Sequence, residues 1–396
     1  MTLLTFNGKY VITSTTPVTT TSPTLVDDSQ ASQTFELAAS KVVLVIYQAN
    51  NVRGVAMPIA GMQNAINIDA VDKANSWDSP GTATYPVRNC VFWVGTLASG
   101  SHTIKGRFAS PSSQTVTISN RVLLIYIFDG DEFQYVDDAT TATAPSSTFI
   151  DDPYAQVTFT PSAICKALVM YNCANSGATE YRYGKKVAVK IGSTDYGQTE
   201  KSPKGDNYAD SVFTVHVLSL SAVSTTVKGR FACASGSNTV TIHRRQLAVL
   251  LLADSTLMDI ITSTTQVSTT SNVLVDDPQA TISRTTVDTR EVLVVAVGTK
   301  RYNTISSSYG ECYGIKINTN DRANSRGCPG SYSTNPNSEA TAYAEQLVAS
   351  SHTVQGRFSN NYSTETVKID ARQVVALWFS VAAPPPPAAR LLVQVF

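Results

Sequence analysis

One octapeptide is written three times in this chain, as Ser101-His102-Thr103-Ile104-Lys105-Gly106-Arg107-Phe108, as Ser224-Thr225-Thr226-Val227-Lys228-Gly229-Arg230-Phe231, and as Ser351-His352-Thr353-Val354-Gln355-Gly356-Arg357-Phe358. Other landmarks keep step with it. An aspartate pair recurs at Asp27-Asp28, Asp151-Asp152 and Asp276-Asp277, and a second arginine at Arg121, Arg245 and Arg372. The steps run from 123 to 127 residues. That is far longer than the roughly 20–50 residues of a solenoid repeat and about the size of a whole domain. Three similar domains on one chain point to building material before they point to catalysis.

The apolar pattern within each repeat is short and two-fold. Val42 to Tyr47, Lys166 to Tyr171 and Glu291 to Val297 read as central strands rich in branched residues. Ala65 to Ile68, Ala188 to Ile191 and Gly314 to Ile317 alternate, as a strand with one wet face does. Each repeat closes on an apolar run: Val122 to Phe128, Leu247 to Leu252 and Val374 to Phe379. No helical period extends beyond two turns. The fold class expected is therefore all-β: three tandem antiparallel β-sandwiches of jelly-roll type with extended terminal strands.

The expected layout assigns 1–22 to an N-terminal arm and Thr-rich connector, 23–138, 148–261 and 273–383 to sandwiches, 139–147 and 262–272 to connectors, and 384–396 to a Pro-rich spacer and terminal strand. The Thr/Ser/Pro segments between repeats are either exposed linkers or strands laid along the next domain. They are also candidates for O-linked sugar, and Asn361-Tyr362-Ser363 is an N-linked acceptor triplet.

Lys+Arg and Asp+Glu are both 30, so no net field draws nucleic acid to the chain. Charged residues make up 15%, against the roughly 25% usual for soluble domains. Much of the surface must then rely on hydroxyl and amide groups, or be covered by neighbouring subunits. No apolar run has the length of a membrane span, so no membrane insertion is expected. The N-terminus lacks the basic start and apolar stretch of a secretory signal. An extracellular filament or a virion surface is the location these features suggest.

The ends do not match the interior. Leu3, Leu4, Phe6, Tyr10, Val11 and Ile12 flank an Asn7-Gly8 hairpin signal, and this layout otherwise follows a domain. After Pro384 to Pro387 the chain finishes on Leu391, Leu392, Val393, Val395 and Phe396, apolar on nearly both faces. Either both ends cap their own sandwiches, or the N-terminal arm of one molecule lies on the third repeat of its neighbour. The second arrangement is strand addition, and head-to-tail contacts that do not close make a filament.

No constellation of catalytic type stands out. The aspartate pairs lack calcium-loop spacing, and adjacent strand residues face opposite ways. The recurring Arg107, Arg230, Arg357 and Arg121, Arg245, Arg372 suit the fold better than a ligand, as partners of the recurring aspartates across the sandwich. Asp72, Asp195 and Asp321 read as turn formers. The histidines lack fixed partners, and neither metal spacing nor a nucleotide fingerprint occurs. Of the six cysteines, Cys312 and Cys328 flank one loop and are placed to close it. No cofactor, metal or enzymatic activity is expected.

Taken with their spacing, Val26-Asp27, Val43 to Tyr47, Leu97 to Thr103 and Arg121 to Ile125 resemble the jelly-roll modules of the C1q/TNF-like group, which occur in virus fibres and microbial surface or appendage proteins. The resemblance implies a non-enzymatic sandwich used for assembly or attachment. Such modules often trimerise through separate chains, so three copies on one chain form either a pseudo-trimer or a row of beads. It transfers no functional residue. The reading is a structural subunit of an extracellular or virion filament that polymerises with copies of itself. The alternative is an adhesin or fibre protein that binds surface carbohydrate.

Overall fold

In a computed structural model of the chain, described for residues 1–53, 62–78, 87–111, 113–176, 185–201, 210–233, 239–302, 311–327, 337–360 and 366–381, every named element is a β-strand. The first sandwich is made of β1 (Thr5–Ser14), β2 (Val18–Thr20), β3 (Val26–Leu37), β4 (Lys41–Arg53), β5 (Met62–Ile68), β6 (Val71–Asp78), β7 (Val87–Leu97), β8 (Gly100–Ala109) and β9 (Val116–Asp129). Its inner sheet runs β1-β9-β4-β7, with β2 also on β9, and its outer sheet runs β3-β8-β5-β6. First strand pairs with last and the next inward pairs likewise, which is the jelly-roll path.

The second sandwich repeats this plan with β10 (Phe133–Asp138), β11 (Ala142–Ala144), β12 (Ile150–Phe159), β13 (Cys165–Ser176), β14 (Lys185–Ile191), β15 (Thr194–Lys201), β16 (Asp210–Leu220), β17 (Thr225–Cys233) and β18 (Val240–Ala253). The third uses β19 (Leu257–Ser263), β20 (Val267–Thr269), β21 (Val275–Thr285), β22 (Arg290–Tyr302), β23 (Glu311–Ile317), β24 (Asn320–Gly327), β25 (Asn337–Leu347), β26 (Ser351–Asn360) and β27 (Val367–Ser380). The all-β, three-sandwich expectation holds.

The boundaries differ from those the repeat arithmetic suggested. β1 pairs along its length with β9, from Thr5 opposite Asp129 to Ser14 opposite Arg121. Within this chain the N-terminal arm is thus the first strand of its own sandwich. Phe133–Asp138 belongs to the second sandwich, through β18, and Leu257–Ser263 to the third, through β27. The Asn7-Gly8 signal is likewise a bulge and not a hairpin: the register shifts between Phe6 and Gly8 while the strand continues. The Thr-rich connectors become the short strands β2, β11 and β20, each laid on the last strand of the domain that it opens.

The closing apolar runs are buried on both faces, which explains their lack of alternation. In β4 and β9, Val43, Val45, Tyr47, Leu123 and Ile125 enter the first sandwich, whereas Val42, Leu44, Ile46, Leu124 and Tyr126 point the other way. That second direction leads to one core shared by all three inner sheets. It holds Leu44 and Phe92 from the first sandwich, Leu168 and Val215 from the second, and Leu293 and Leu377 from the third. The sandwiches therefore close around a common axis as a pseudo-trimer and are not beads in a row. At roughly 1.5–3 kcal/mol per large apolar side chain buried, this axial core rivals the sandwich interiors as a source of stability.

Inside each sandwich the aspartate pair divides its work, as opposite strand faces require. The second aspartate meets the buried arginine: Arg121 Nε lies 2.7 Å from Asp28, Arg245 Nε 2.9 Å from Asp152 and Arg372 Nε 2.7 Å from Asp277, with all six side chains fully buried. The first aspartate meets the arginine of the octapeptide on the outer face: Arg107 Nε to Asp27 at 3.0 Å, Arg230 to Asp151 at 3.0 Å and Arg357 to Asp276 at 3.1 Å. The same guanidinium groups reach Asp72, Asp195 and Asp321, so these aspartates are ion-pair partners as well as residues near turns. The expected pairing across the sandwich is borne out for Arg121, Arg245 and Arg372, which join the inner sheet to the outer, whereas Arg107, Arg230 and Arg357 pair with the strand beside them in the outer sheet.

Candidate functional site

The feature that distinguishes this molecule from a single jelly roll is the set of three joints around the axis. Each joint carries a buried amide side chain at the end of an apolar run in its strand. Gln48 of β4 makes two bonds to Ala342 of β25: Nε2 donates to the carbonyl at 2.6 Å, and Oε1 accepts the amide N–H at 2.8 Å. Gln373 of β27 accepts the Val215 N–H at 3.2 Å and the Thr214 hydroxyl at 3.1 Å, and donates to Gln198 O at 3.2 Å. Asn172 of β13 donates to Cys90 O at 3.3 Å, and Gln246 beside it donates to Asn75 O at 2.8 Å.

These contacts occupy equivalent places. Gln48 lies opposite Val122, Asn172 opposite Gln246 and Val297 opposite Gln373, so one rung of each inner sheet supplies the amide. The receiving residues Ala342 and Val215 are also equivalent, two positions beyond the residues that pair with Val297 and Asn172. Burial makes each bond consequential, because an unmatched peptide group in this core would lose its water without replacement. The three joints run in one rotational sense, first to third, third to second and second to first. Such a heterologous contact closes into a ring when the rotation allows.

Side-chain volumes differ around the axis. Phe92 and Phe213 meet edge to face across the first–second joint at 5.8 Å, whereas β25 presents Ala340, Ala342 and Ala344. At one end the axis is closed by Phe6, Tyr126, Phe128 and Phe379, with Phe6 stacked on Phe379 at 5.4 Å. The first–third joint also carries charge. Lys9 bonds Glu291, whose side chain is 2% exposed, and the Tyr126 hydroxyl donates to Val292 O at 3.2 Å. Burial pushes the Glu291 carboxyl up, against the opposing pull of Lys9 and the tyrosine hydroxyl.

The arm residues singled out in the sequence fall into three groups. Tyr10 and Ile12 pack into the first sandwich. Leu4, Phe6 and Val11 join the axial core. Leu3 packs against the interior of the second sandwich. The tip does add itself to another sheet, but within its own chain: Leu4 N–H donates to Leu251 O at 2.8 Å, and Ala253 N–H to Leu4 O at 2.9 Å. Gly130 is required there. It has φ +105, and a Cβ would fall 2.5 Å from Leu3 O. Leu391, Leu392, Val393, Val395 and Phe396 lie outside the described residues, as do Cys328 and Asn361; Cys312 is buried.

A groove of about 420 Å³ opens on the outer sheet of the first sandwich between Asp27, Asn67, Asp69, Thr103, Lys105 and Arg107. Its cations are already matched: Lys105 Nζ reaches Asp27 at 2.6 Å, and Arg107 spans Asp27 and Asp72. Such internal pairing leaves little charge for a ligand. The signal that would have found the amides is a lone Gln or Asn abutting a run of apolar strand residues, as Gln48 abuts Tyr47 and Gln373 abuts Val374.

No protein-family model and no curated protein matches the chain. Among solved structures it is similar to PNGF-II, at 7% identity and a TM-score of 0.32 over 88% of this chain and 100% of that one. It is also similar to a protein described under "The Triple Jelly Roll Fold and Turret Assembly in an Archaeal Virus", at 11% identity and 0.20 over 95% and 90%. A third similarity is to a structure of infectious bursal disease virus Gt strain, at 8% and 0.21 over 96% and 83%. Scores at this level establish no equivalence; the strand order itself assigns the jelly roll.

Proposed function

We propose that the chain is a structural, non-enzymatic subunit of a virion surface or an extracellular assembly, in which three jelly rolls are closed into one block. The observation that carries this reading is the single apolar core shared by all three inner sheets, with a buried amide at every joint. A core of this kind makes the molecule one rigid piece. Rigidity suits a part that bears load or fills a lattice position, and the amide side chains at the joints hold each sandwich to the backbone of the next.

Linkage between copies falls, in this reading, to the apolar C-terminal segment, Leu391 to Phe396, which follows Pro384–Pro387. The N-terminal arm pairs along its length within its own chain, which favours the other end as the donor. An extended apolar segment supplies both ladder bonds and side chains to a receiving sheet edge. The test is a chain ended after Val381 beside the full chain, followed by light scattering and negative-stain microscopy. Assembly by the full chain alone supports the reading; equal assembly by both overturns the role of this segment.

A further inference from the structure

Two of the three joints lie between sandwiches that follow one another in the chain, across the short links 130–132 and 254–256. The joint between the first and third sandwiches has no such link. It is held by Lys9 with Glu291, by Tyr126 with Val292, by the two Gln48–Ala342 bonds and by the Phe6–Phe379 stack.

Among the described residues, the charge pair belongs to this joint alone. Lys9 stands opposite Tyr126, a place taken in the other sandwiches by Phe133, opposite Leu250, and Met258, opposite Leu377. Glu291 corresponds in register to Val42 and Lys166. Lys9 facing Lys166 would be repelled, and facing Val42 it would be a half-buried charge without a partner. Thus the pair selects the third sandwich for the first and rejects the wrong neighbours, as charges do in interfaces that must choose among similar surfaces.

A heterologous contact that closes a ring within one chain is equally satisfied between two chains. We propose that the joint of the first and third sandwiches is a self-recognition surface, whose partner in trans is the third sandwich of a second copy. Two chains would then link by exchanging first sandwiches. Lys9 and Glu291 act as the specificity pair, and the Gly130–Glu132 link is the hinge. Short links of this kind are the hinges through which domains exchange between chains. This link between copies is separate from one made by the C-terminal segment, because only the exchange depends on the charges at 9 and 291.

The experiment uses full chains carrying Lys9→Glu or Glu291→Lys, with different affinity tags. Within either chain alone the joint sets like charges together, in monomers and in self-exchanged pairs. In a mixed pair both joints carry opposite charges. Refolded together, the two variants should yield a two-chain species enriched at least about tenfold over either variant refolded alone, by light scattering and sequential capture on both tags. If a single variant fails to fold, soluble recovery only in the mixture supports the proposal equally. The double reversal in one chain should be recovered as a one-chain species and shows that the joint tolerates the swapped charges. Absence of a mixed species while the double reversal folds would overturn the proposal. Self-association of each variant to the same extent as the mixture would overturn it too.

Discussion

Gln48 and Ala342 form a two-bond clasp, 2.6 and 2.8 Å long, between the first and third sandwiches, and neither residue is accessible to water. Replacing Gln48 by Leu keeps the volume but strands the amide and carbonyl of Ala342. At about 1–3 kcal/mol for each unmatched buried group, the chain should lose roughly 2–4 kcal/mol in urea denaturation. Faster hydrogen exchange at Ala342 than in the parent protein would localise the damage to this joint.

Neighbouring aspartates should respond very differently to the same change. Asp28 is buried against Arg121 and accepts the Tyr47 hydroxyl at 2.9 Å, while the side chain of Asp27 is 47% exposed. Asp28→Ala leaves a buried guanidinium without its anion and should cost about 3–5 kcal/mol. Asp27→Ala should cost at most about 1 kcal/mol. Chemical denaturation of the two variants checks the contrast, and equal losses would contradict the division of labour described above.

His102 and Asp69 form a pair on the outer sheet at 2.6 Å, with the other ring nitrogen on Ala98 O. The hydrogen bond to Asp69 raises the imidazole above its ordinary 6.5. Partial burial pulls Asp69 upward, but His102 and the Thr103 amide outweigh it and hold its carboxyl below the usual range. The pair's contribution is therefore full at acidic pH between these limits. It is lost as pH rises through the raised histidine value, and lost again as pH falls through the lowered aspartate value. In an NMR titration, Asp69→Asn should return His102 toward 6.5.

His216 behaves in the opposite sense. It stacks on Tyr196 at 4.3 Å inside the edge of the second sandwich, and burial pulls its imidazole down to about 4. The unfolded chain takes up this proton near 6.5, the folded chain only near 4. Stability should fall as pH drops through that window, by roughly 3 kcal/mol in total. His216→Phe should flatten this limb of the pH–stability curve, and an unchanged slope would refute the assignment.

Much of this architecture could be read from residues alone. Period, strand pattern and the recurring Asp and Arg positions led to three sandwiches with charge pairs across them, because each of those features depends on local alternation and exact repetition. The destination of the arm did not follow. Tyr10 and Ile12 on one face and Val11 on the other satisfy a sheet edge in cis or in trans equally well, and Asn7-Gly8 serves a bulge as readily as a hairpin. The joint amides escaped notice because the repeats draw them from different strands, Gln48 from β4 but Gln373 from β27. The third sandwich also moves a core tyrosine. Tyr47 and Tyr171 lie against Gly106 and Gly229, where a Cβ would come within 2.4 Å of either ring, yet Ala296 holds that place in β22 and Tyr313 fills the space from β23. A substitution made good from another strand leaves no trace in a repeat alignment.

The unequal lining of the axis has one last consequence. Three identical chains meeting about a rotation axis must show each other the same side chain at every level. Because this ring is a single polypeptide, Phe92, Val215 and Ala342 can occupy one level together, and a change at any of them alters one wall and spares the other two. The block therefore has an intrinsic heading, and a lattice built from it can distinguish its three sides.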